Sequence, residues 1–301
     1  MPDAEWLFDG TLGILLLVLA GAALHARSLY AAVVMFIALG LMLALTWARL
    51  GAPDLALAEA AIGAGVTGAL LFSTLYKAGM DRHKRATPNR IALLLPGLAF
   101  LLLLTAAWPL PEMHSPLPDQ VMAHLKDSGV SHPVTAVLLN FRAWDTLLEV
   151  SVVLIALLGV RQLYPSHGEV PTPWPLMLAW GRLLAPLTVI VGGYLLWRGT
   201  DAPGGAFQAG TVLAAGGVAL RLIGVLPPLG WHQWPVRLLV LAGVLVFVAV
   251  AALTAWLGQG WLHYPTGSSK VLILLIELMA TASIATTLTL LVVGEKRELR
   301  P

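Results

Sequence analysis

Three carboxylates stand inside stretches otherwise too apolar for water. Glu59 lies in Gly51 to Lys77, GAPDLALAEAAIGAGVTGALLFSTLYK; Glu149 lies in NFRAWDTLLEVSVV; and Glu277 lies in the apolar run that begins at Lys270. An ionised group at the centre of a bilayer costs about 3 kcal/mol or more, so such acids pair with a neighbouring helix or serve a charged solute. Asp54 precedes Glu59 by five residues, and Arg142 and Asp145 precede Glu149 at helical spacing. Arg142, Asp145 and Glu149 follow an i, i+3, i+7 pattern and share one helix face. Arg142 can pair with Asp145 at the rim and leave Glu149 deeper and less compensated. A carboxyl short of partners and of water suits a proton carrier; the alternative is a rim ion pair that sets helix depth.

The elements that hold these acids are transmembrane helices. Of 301 residues, 58% are hydrophobic and 11% charged, against about 25% charged in soluble domains. The net charge of +2 reflects loops and implies no nucleic-acid partner; the absence of cysteine excludes disulfides and thiolate chemistry. The acidic start, MPDAEWLFDG, lacks the basic region of a signal peptide, so the first apolar run is expected to be a retained helix. No nucleophile–base set, metal-ligand spacing or cofactor motif is visible, so no catalytic residue, metal or cofactor is expected.

Nine apolar runs approach the roughly 20 residues that a span requires. They are Trp6–Leu24, Leu29–Trp47, the Glu59 run, Ile91–Trp108, Asp145–Leu163, Trp180–Trp197, Gly205–Leu226, Pro235–Leu257 and Lys270–Val293. The fold class is all-α, a polytopic membrane protein with nine transmembrane helices. With the N-terminus outside and the C-terminus inside, thirteen of the 18 Lys and Arg residues fall on the inner side, as the positive-inside rule favours. The segment from Pro109 to Asn140 reads as an irregular outer loop with at most a short surface helix. The Lys77–Arg90 loop and the proline-rich Tyr164–Pro175 loop divide the chain into blocks of three, two and four helices, 1–80, 81–165 and 166–301.

On this topology the three acids lie at similar depth in the outer half of the membrane, Glu59 about 7.5 Å below Asp54 at the helical rise. If they converge they line a hydrated path for protons or a small cation; if not, each is a separately paired structural acid. Ala56, Ala60, Ala64 and Gly68 recur every four residues beside Glu59, a stripe for close helix contact. The hydroxyls Thr281, Ser283, Thr286, Thr287 and Thr289 after Glu277 either extend a water wire or bond backbone, the second being the commoner use. His25, at a predicted inner helix end, serves a proton exit or is an interface residue. His114, His124 and His132 are expected on solvated surface. In the turn RGTDAPGGAFQAG, Asp201 is expected to cap the following helix, with Gly204 and Gly205 allowing close backbone approach.

These stretches together carry a family resemblance. APDLALAEAAIGAG resembles a motif in the C-terminal extension of the A subunit of Mrp-type multisubunit Na⁺/H⁺ antiporters, a segment similar to the small D-type membrane subunit (MbhD) of energy-converting hydrogenases. NFRAWDTLLEVSVVLIALLGV is similar to the adjoining E-type unit (MbhE), and RGTDAPGGAFQAGTVLAAGGVALRL resembles the signature of the four-helix B subunit (MrpB or MnhB). The resemblance implies a subunit of a cation/proton antiporter in the cell (inner) membrane. Na⁺ and H⁺ would be its solutes. Its partners would be proton-pumping antiporter-like subunits, small membrane subunits and the lipid bilayer. It implies transport roles for Glu59 and Glu149, matches Asp145 to the aspartate before the second of them, and implies a structural signature at Asp201, Pro203, Gly204, Gly205 and Phe207. Family B subunits often carry His-Asn where this chain has Thr200-Asp201, so no role of that histidine transfers. The large pumping domain of the A subunit is absent, so the chain alone is not expected to pump. Related redox-driven or carbon-uptake complexes, or a structural scaffold, are the alternative settings.

Overall fold

The computed structural model describes residues 2–78, 90–107, 116–163, 174–258, 260–265 and 267–294. Among them no strand occurs. Twelve α-helices follow in order: α1 Pro2–His25, α2 Leu29–Arg49, α3 Pro53–Ala58, α4 Thr67–Ala78, α5 Arg90–Ala107, α6 Leu117–His124, α7 Pro133–Ala136, α8 Ala143–Gln162, α9 Pro175–Arg198, α10 Ala206–Leu222, α11 Trp234–Trp256 and α12 Ser269–Val293. The helix starts are locally encoded. Ser28 accepts from the Ala31 amide and caps α2, and prolines open α3, α7, α9 and α11, where no amide partner is needed.

α3 and α4 are one continuous rod interrupted by a π-helical segment, Glu59–Val66. The Thr67 hydroxyl donates to the Ile62 carbonyl five residues back, 2.9 Å away. Such π turns are rare and concentrate at functional sites; a stripe of small residues every fourth position does not distinguish π from α winding. The stripe packs as expected. Ala64 is buried, and a side chain at Gly40 of α2 would meet its Cβ at 3.1 Å. A side chain at Gly68 would meet Ile37 at 2.6 Å.

α1 and α2 form a hairpin whose end is closed by Arg49, 2.8 Å from Asp9 and 3.2 Å from Glu5. α10 lies between α9 and α12, α11 packs on α12, and α8 packs on both α11 and α12. The π segment joins the first group to the second through α10, and α4 touches α12. Glycine makes these approaches possible: a side chain at Gly210 of α10 would meet Ile284 of α12 at 2.8 Å, and one at Gly192 of α9 would meet Leu213 at 2.8 Å.

Among the described residues seven helices are long and apolar enough to cross a membrane, and two shorter apolar stretches, Gly97–Ala106 and Ala206–Leu222, fall within two more of the nine expected runs. Large apolar side chains on their outer faces are exposed, among them Leu17, Val152, Ile190 and Val271, as a lipid-facing surface requires. The described part of the outer loop is more ordered than its prolines suggested. It holds α6, a 3₁₀ turn Leu125–Ser128, α7 and a second π segment, Val137–Phe141. The Lys77–Arg90 and Tyr164–Pro175 loops and His114 fall wholly or largely outside the described residues.

Gly210→Val should lower stability by about 1–3 kcal/mol through overpacking against Ile284. Gly13→Val, where nothing lies within 4 Å, should have a much smaller effect. Thermal denaturation of the detergent-purified chain checks the difference.

Candidate functional site

The turn between α9 and α10 is built from three glycines that no other residue could replace without movement. Gly204 and Gly205 have φ of 157° and 115°, values that side chains disfavour. A side chain at Gly204 would meet the Leu195 carbonyl at 2.5 Å, and one at Gly199 would meet the Gly205 Cα at 2.7 Å. The Gly205 amide returns to donate to the Leu195 carbonyl, 3.0 Å away. The turn is therefore a tight crossing of backbone over the end of α9.

The outer loop is stitched onto this turn. The Ser131 and His132 amides both donate to the Thr200 carbonyl at 3.1 Å, and the Thr135 hydroxyl donates to the Gly199 carbonyl at 2.5 Å. Asp201 accepts from the Ser131 hydroxyl at 2.5 Å and from Thr200 at 2.9 Å, with Lys270 at 3.9 Å. The expected helix cap by Asp201 is corrected: Gly205 is the cap residue of α10 and no side chain bonds there. The aspartate is drawn instead to hydroxyls from the loop. Those donors, Ser131 first and then Thr200, hold the Asp201 carboxyl below its ordinary value of 3.8.

Asp54 ties the first helix group to the same turn. Its Oδ2 accepts from His132 Nε2 at 2.9 Å, and its Oδ1 accepts from the Gly204 amide at 3.3 Å. The side chains of His132 and Asp54 are only 13% and 14% exposed. The expectation that His132 is solvated surface is corrected, because the carboxylate that partners it comes from 78 residues earlier. His124, in contrast, is exposed and bonds its own helix at the Gln120 carbonyl.

Under the turn lies Glu277. It is 2% exposed, its Oε2 is buried without a hydrogen-bond partner among the described residues, and its Oε1 would touch side chains placed at Gly205 and Gly199 at 3.2 and 3.3 Å. Two adjacent glycines thus face two acids: Gly204 binds Asp54 through its amide, and Gly205 leaves room for Glu277. Four of the hydroxyls after Glu277 bond carbonyl oxygens. Thr281 donates to Glu277, Thr286 to Ala282, Thr289 to Ala285 and Ser283 to Val240. They form no hydroxyl chain leading away from the carboxyl.

The other acids sit differently. Glu59 opens the π segment, is half-buried, and folds its carboxyl over Gly63, where a side chain would collide with it. Glu149 is exposed on α8, one residue before the buried Val150, so it faces outward from the chain. Arg142 and Asp145 form the expected rim pair at 2.6 Å, the arginine exposed and the aspartate half-buried. Neither Glu59 nor Glu149 has a bonded partner among the described residues. His25 is exposed at the end of α1 and bonds the Gly21 carbonyl. Phe207 packs beside the buried group Val150, Ala280 and Ile284. Asp54 is the acid that meets the glycine turn, whereas Glu149 points away from the interior that encloses Glu277. A cavity of about 1030 Å³ lies at the same end, bordered by Lys126, Arg142, Trp261, Tyr264 and Lys270, and includes none of the three membrane acids.

The fold and this site define a class: among the described residues an all-helical protein of linked helix groups, with seven helices long and apolar enough to cross a membrane. Residues 14–80 match the family model of MbhD, the D-type component of MBH, and residues 177–295 match that of a domain related to the MnhB subunit of Na⁺/H⁺ antiporter. The chain therefore has an MbhD-like part and an MnhB-like part. A chain of the Mrp complex from Dietzia sp. DQ12-45-1b shares the fold with a TM-score of 0.79 at 22% identity, over 97% of this chain and 35% of that one. This chain thus spans about a third of that relative. A chain of an archaeal respiratory membrane complex, the membrane-bound sulfane sulfur reductase, matches with a TM-score of 0.55 at 22% identity, over 69% of this chain and 99% of that one. No curated protein matches the chain.

Asp54→Ala should leave the His132 ring and the Gly204 amide without their acceptor and cost about 1–3 kcal/mol. His132→Gln, which keeps a donor, should cost less; denaturation midpoints of the two variants test the ranking. Asp201 adds a pH effect. Its carboxyl is lowered in the fold, so its stitch contributes fully above the ordinary value of 3.8 and is lost as pH falls through the lowered value. Ser131→Ala should shift that loss to higher pH, read as acid unfolding of the purified chain.

Proposed function

We propose that this chain is a membrane subunit of a multisubunit Na⁺/H⁺ antiporter of the Mrp type, in the cell membrane. It contributes an acidic ion path and docks to separate pumping subunits. The observation that carries this reading is the MnhB-related domain at 177–295, joined in one chain to an MbhD-like part at 14–80. The nine-span arrangement, N-terminus outside and C-terminus inside, accommodates the seven long helices and two shorter ones and places most basic residues inside. Three modules, 1–80, 81–165 and 166–301, are the units of assembly, the middle one resembling the E-type unit.

Within this reading, Glu59, Glu149 and Glu277 are the ion-path acids, supported by Asp54, Asp145, Arg142 and His25. Glu149 is exposed and unpaired on a membrane helix among the described residues, a costly arrangement in lipid, which supports a place where α8 meets a partner subunit or a hydrated path between subunits. The signature residues Asp201, Pro203, Gly204, Gly205 and Phe207 form and anchor the turn that encloses Glu277. The chain is a transport component and carries no catalytic chemistry of its own.

The fold likeness to the sulfane sulfur reductase complex supports a second setting, a redox-driven membrane arm using the same helices. Purifying the native complex decides between them: co-purifying antiporter-like subunits support the first, hydrogenase- or reductase-like subunits the second. Glu149→Gln and Glu59→Gln in the assembled complex should each reduce ΔpH-driven Na⁺ exchange by about tenfold or more. Exchange at the wild-type rate in both variants, with assembly intact, would overturn their assignment.

A further inference from the structure

We propose that Glu277 is an enclosed protonation site whose contact with water at the end where α1 begins is controlled by the Asp54–His132 clamp on the Gly204–Gly205 turn. The proposal deepens, and rests on, the reading of the chain as an ion-transport subunit. Three observations carry it. Glu277 is 2% exposed and its Oε2 has no hydrogen-bond partner among the described residues, although the nearby Thr135 and Thr281 hydroxyls both bond backbone carbonyls. A carboxylate left so is far costlier than the neutral acid, so the enclosed state holds the proton. Next, the cover is one strand of backbone, Gly199 to Gly205, without a side chain between Oε1 and the turn. Last, that cover is held from outside by a residue of another helix group, Asp54, which binds Gly204 and His132 together.

The titratable groups described on the elements packed around α12 and at the turn are Arg198 and Asp201 at the turn, Tyr194 on α9, Lys270 two turns before Glu277, Asp145 and Glu149 on α8, and Glu59 at the π segment beside α10, with Arg161, Arg182, Arg221 and Arg237 toward the opposite end. None of these bonds Glu277 Oε2 among the described residues. No described residue therefore compensates a charge at Oε2 by a direct bond, and water is what must reach the carboxyl before it ionises. Releasing Asp54 from Gly204 lifts the turn; water enters beside Gly205, accepts the proton from the Glu277 carboxyl, and leaves a carboxylate that the aqueous path solvates. Reclosure requires the proton, or a cation in its place. In this way the position of the MbhD-like helix controls a carboxyl in the MnhB-like part.

Carbodiimides of two kinds test this in the assembled complex. A water-soluble carbodiimide added from the aqueous side should modify Glu277 slowly in the wild type and at least about threefold faster in Asp54→Asn and His132→Ala, because clamp loss raises the open population. The membrane-permeant dicyclohexylcarbodiimide, which reacts with protonated carboxyls in apolar surroundings, should modify Glu277 in wild type and clamp variants alike. Adducts are read on the peptide that contains Glu277, and Glu277→Gln must remove them. His132→Gln, retaining the hydrogen bond, should remain slow, which separates clamp loss from general unfolding. Equal rates with the soluble reagent in wild type and both clamp variants would overturn the gate, as would no adduct with the permeant reagent. Loss of Na⁺ exchange in Glu277→Gln alongside equal labelling would leave the transport reading standing while the gate fails.

Discussion

Everything at the candidate site follows from one constraint: a carboxyl placed within a membrane protein must be paired, hydrated or enclosed. This chain encloses Glu277 with bare backbone. Glycine at 199, 204 and 205 lets the polypeptide cross the end of α9 and lie against the carboxyl with no side chain between. Any β-carbon at these positions would meet backbone or the acid itself. The turn cannot hold this shape unaided, because Gly204 and Gly205 occupy conformations that glycine visits at an entropic cost. Its hydrogen bonds to the Ser131–Thr135 segment and to Asp54 supply that support.

That arrangement makes the modules interdependent. The MbhD-like part contributes Asp54, the segment before α8 contributes Ser131, His132 and Thr135, and the MnhB-like part contributes the turn and Glu277. In these linkages polar groups of one part satisfy backbone or side-chain polar groups of another. A buried polar group without such a partner would be destabilising, so the three parts stabilise one another at this end of the bundle. Further down the helices the contact changes character. There, small residues let α2, the π segment, α10 and α12 approach closely, and dispersion replaces hydrogen bonding.

The fusion of these parts in one chain has a mechanical consequence. Separate subunits would have to find the turn by diffusion and remain associated, whereas covalent linkage keeps Asp54 near Gly204 at high effective concentration. The π segment just below Asp54 is a place where helix winding departs from α geometry, between the clamp residue and the long contact with α2 and α10. Movement of α3 against its neighbours would be transmitted directly to the turn.

Hydrophobic run lengths alone located nearly all the long helices, since a span must be apolar for its whole length. The three membrane acids were legible for the same reason, being the few charges in apolar runs, and so was the close packing of Ala64, Gly68 and Gly210. The helical spacing of Arg142 and Asp145 foretold their rim pair. What residue spacing left open was which acid is enclosed and which faces outward, because Glu149 and Glu277 look alike in the sequence and differ only in what packs on their helices. The pairing of Asp54 with His132 and Gly204 joins positions 78 and 150 residues apart, beyond the reach of any local pattern. The π winding at Glu59 and the true role of Asp201 were likewise decided by tertiary contacts, since local residue types permit α winding at the one and a helix cap at the other.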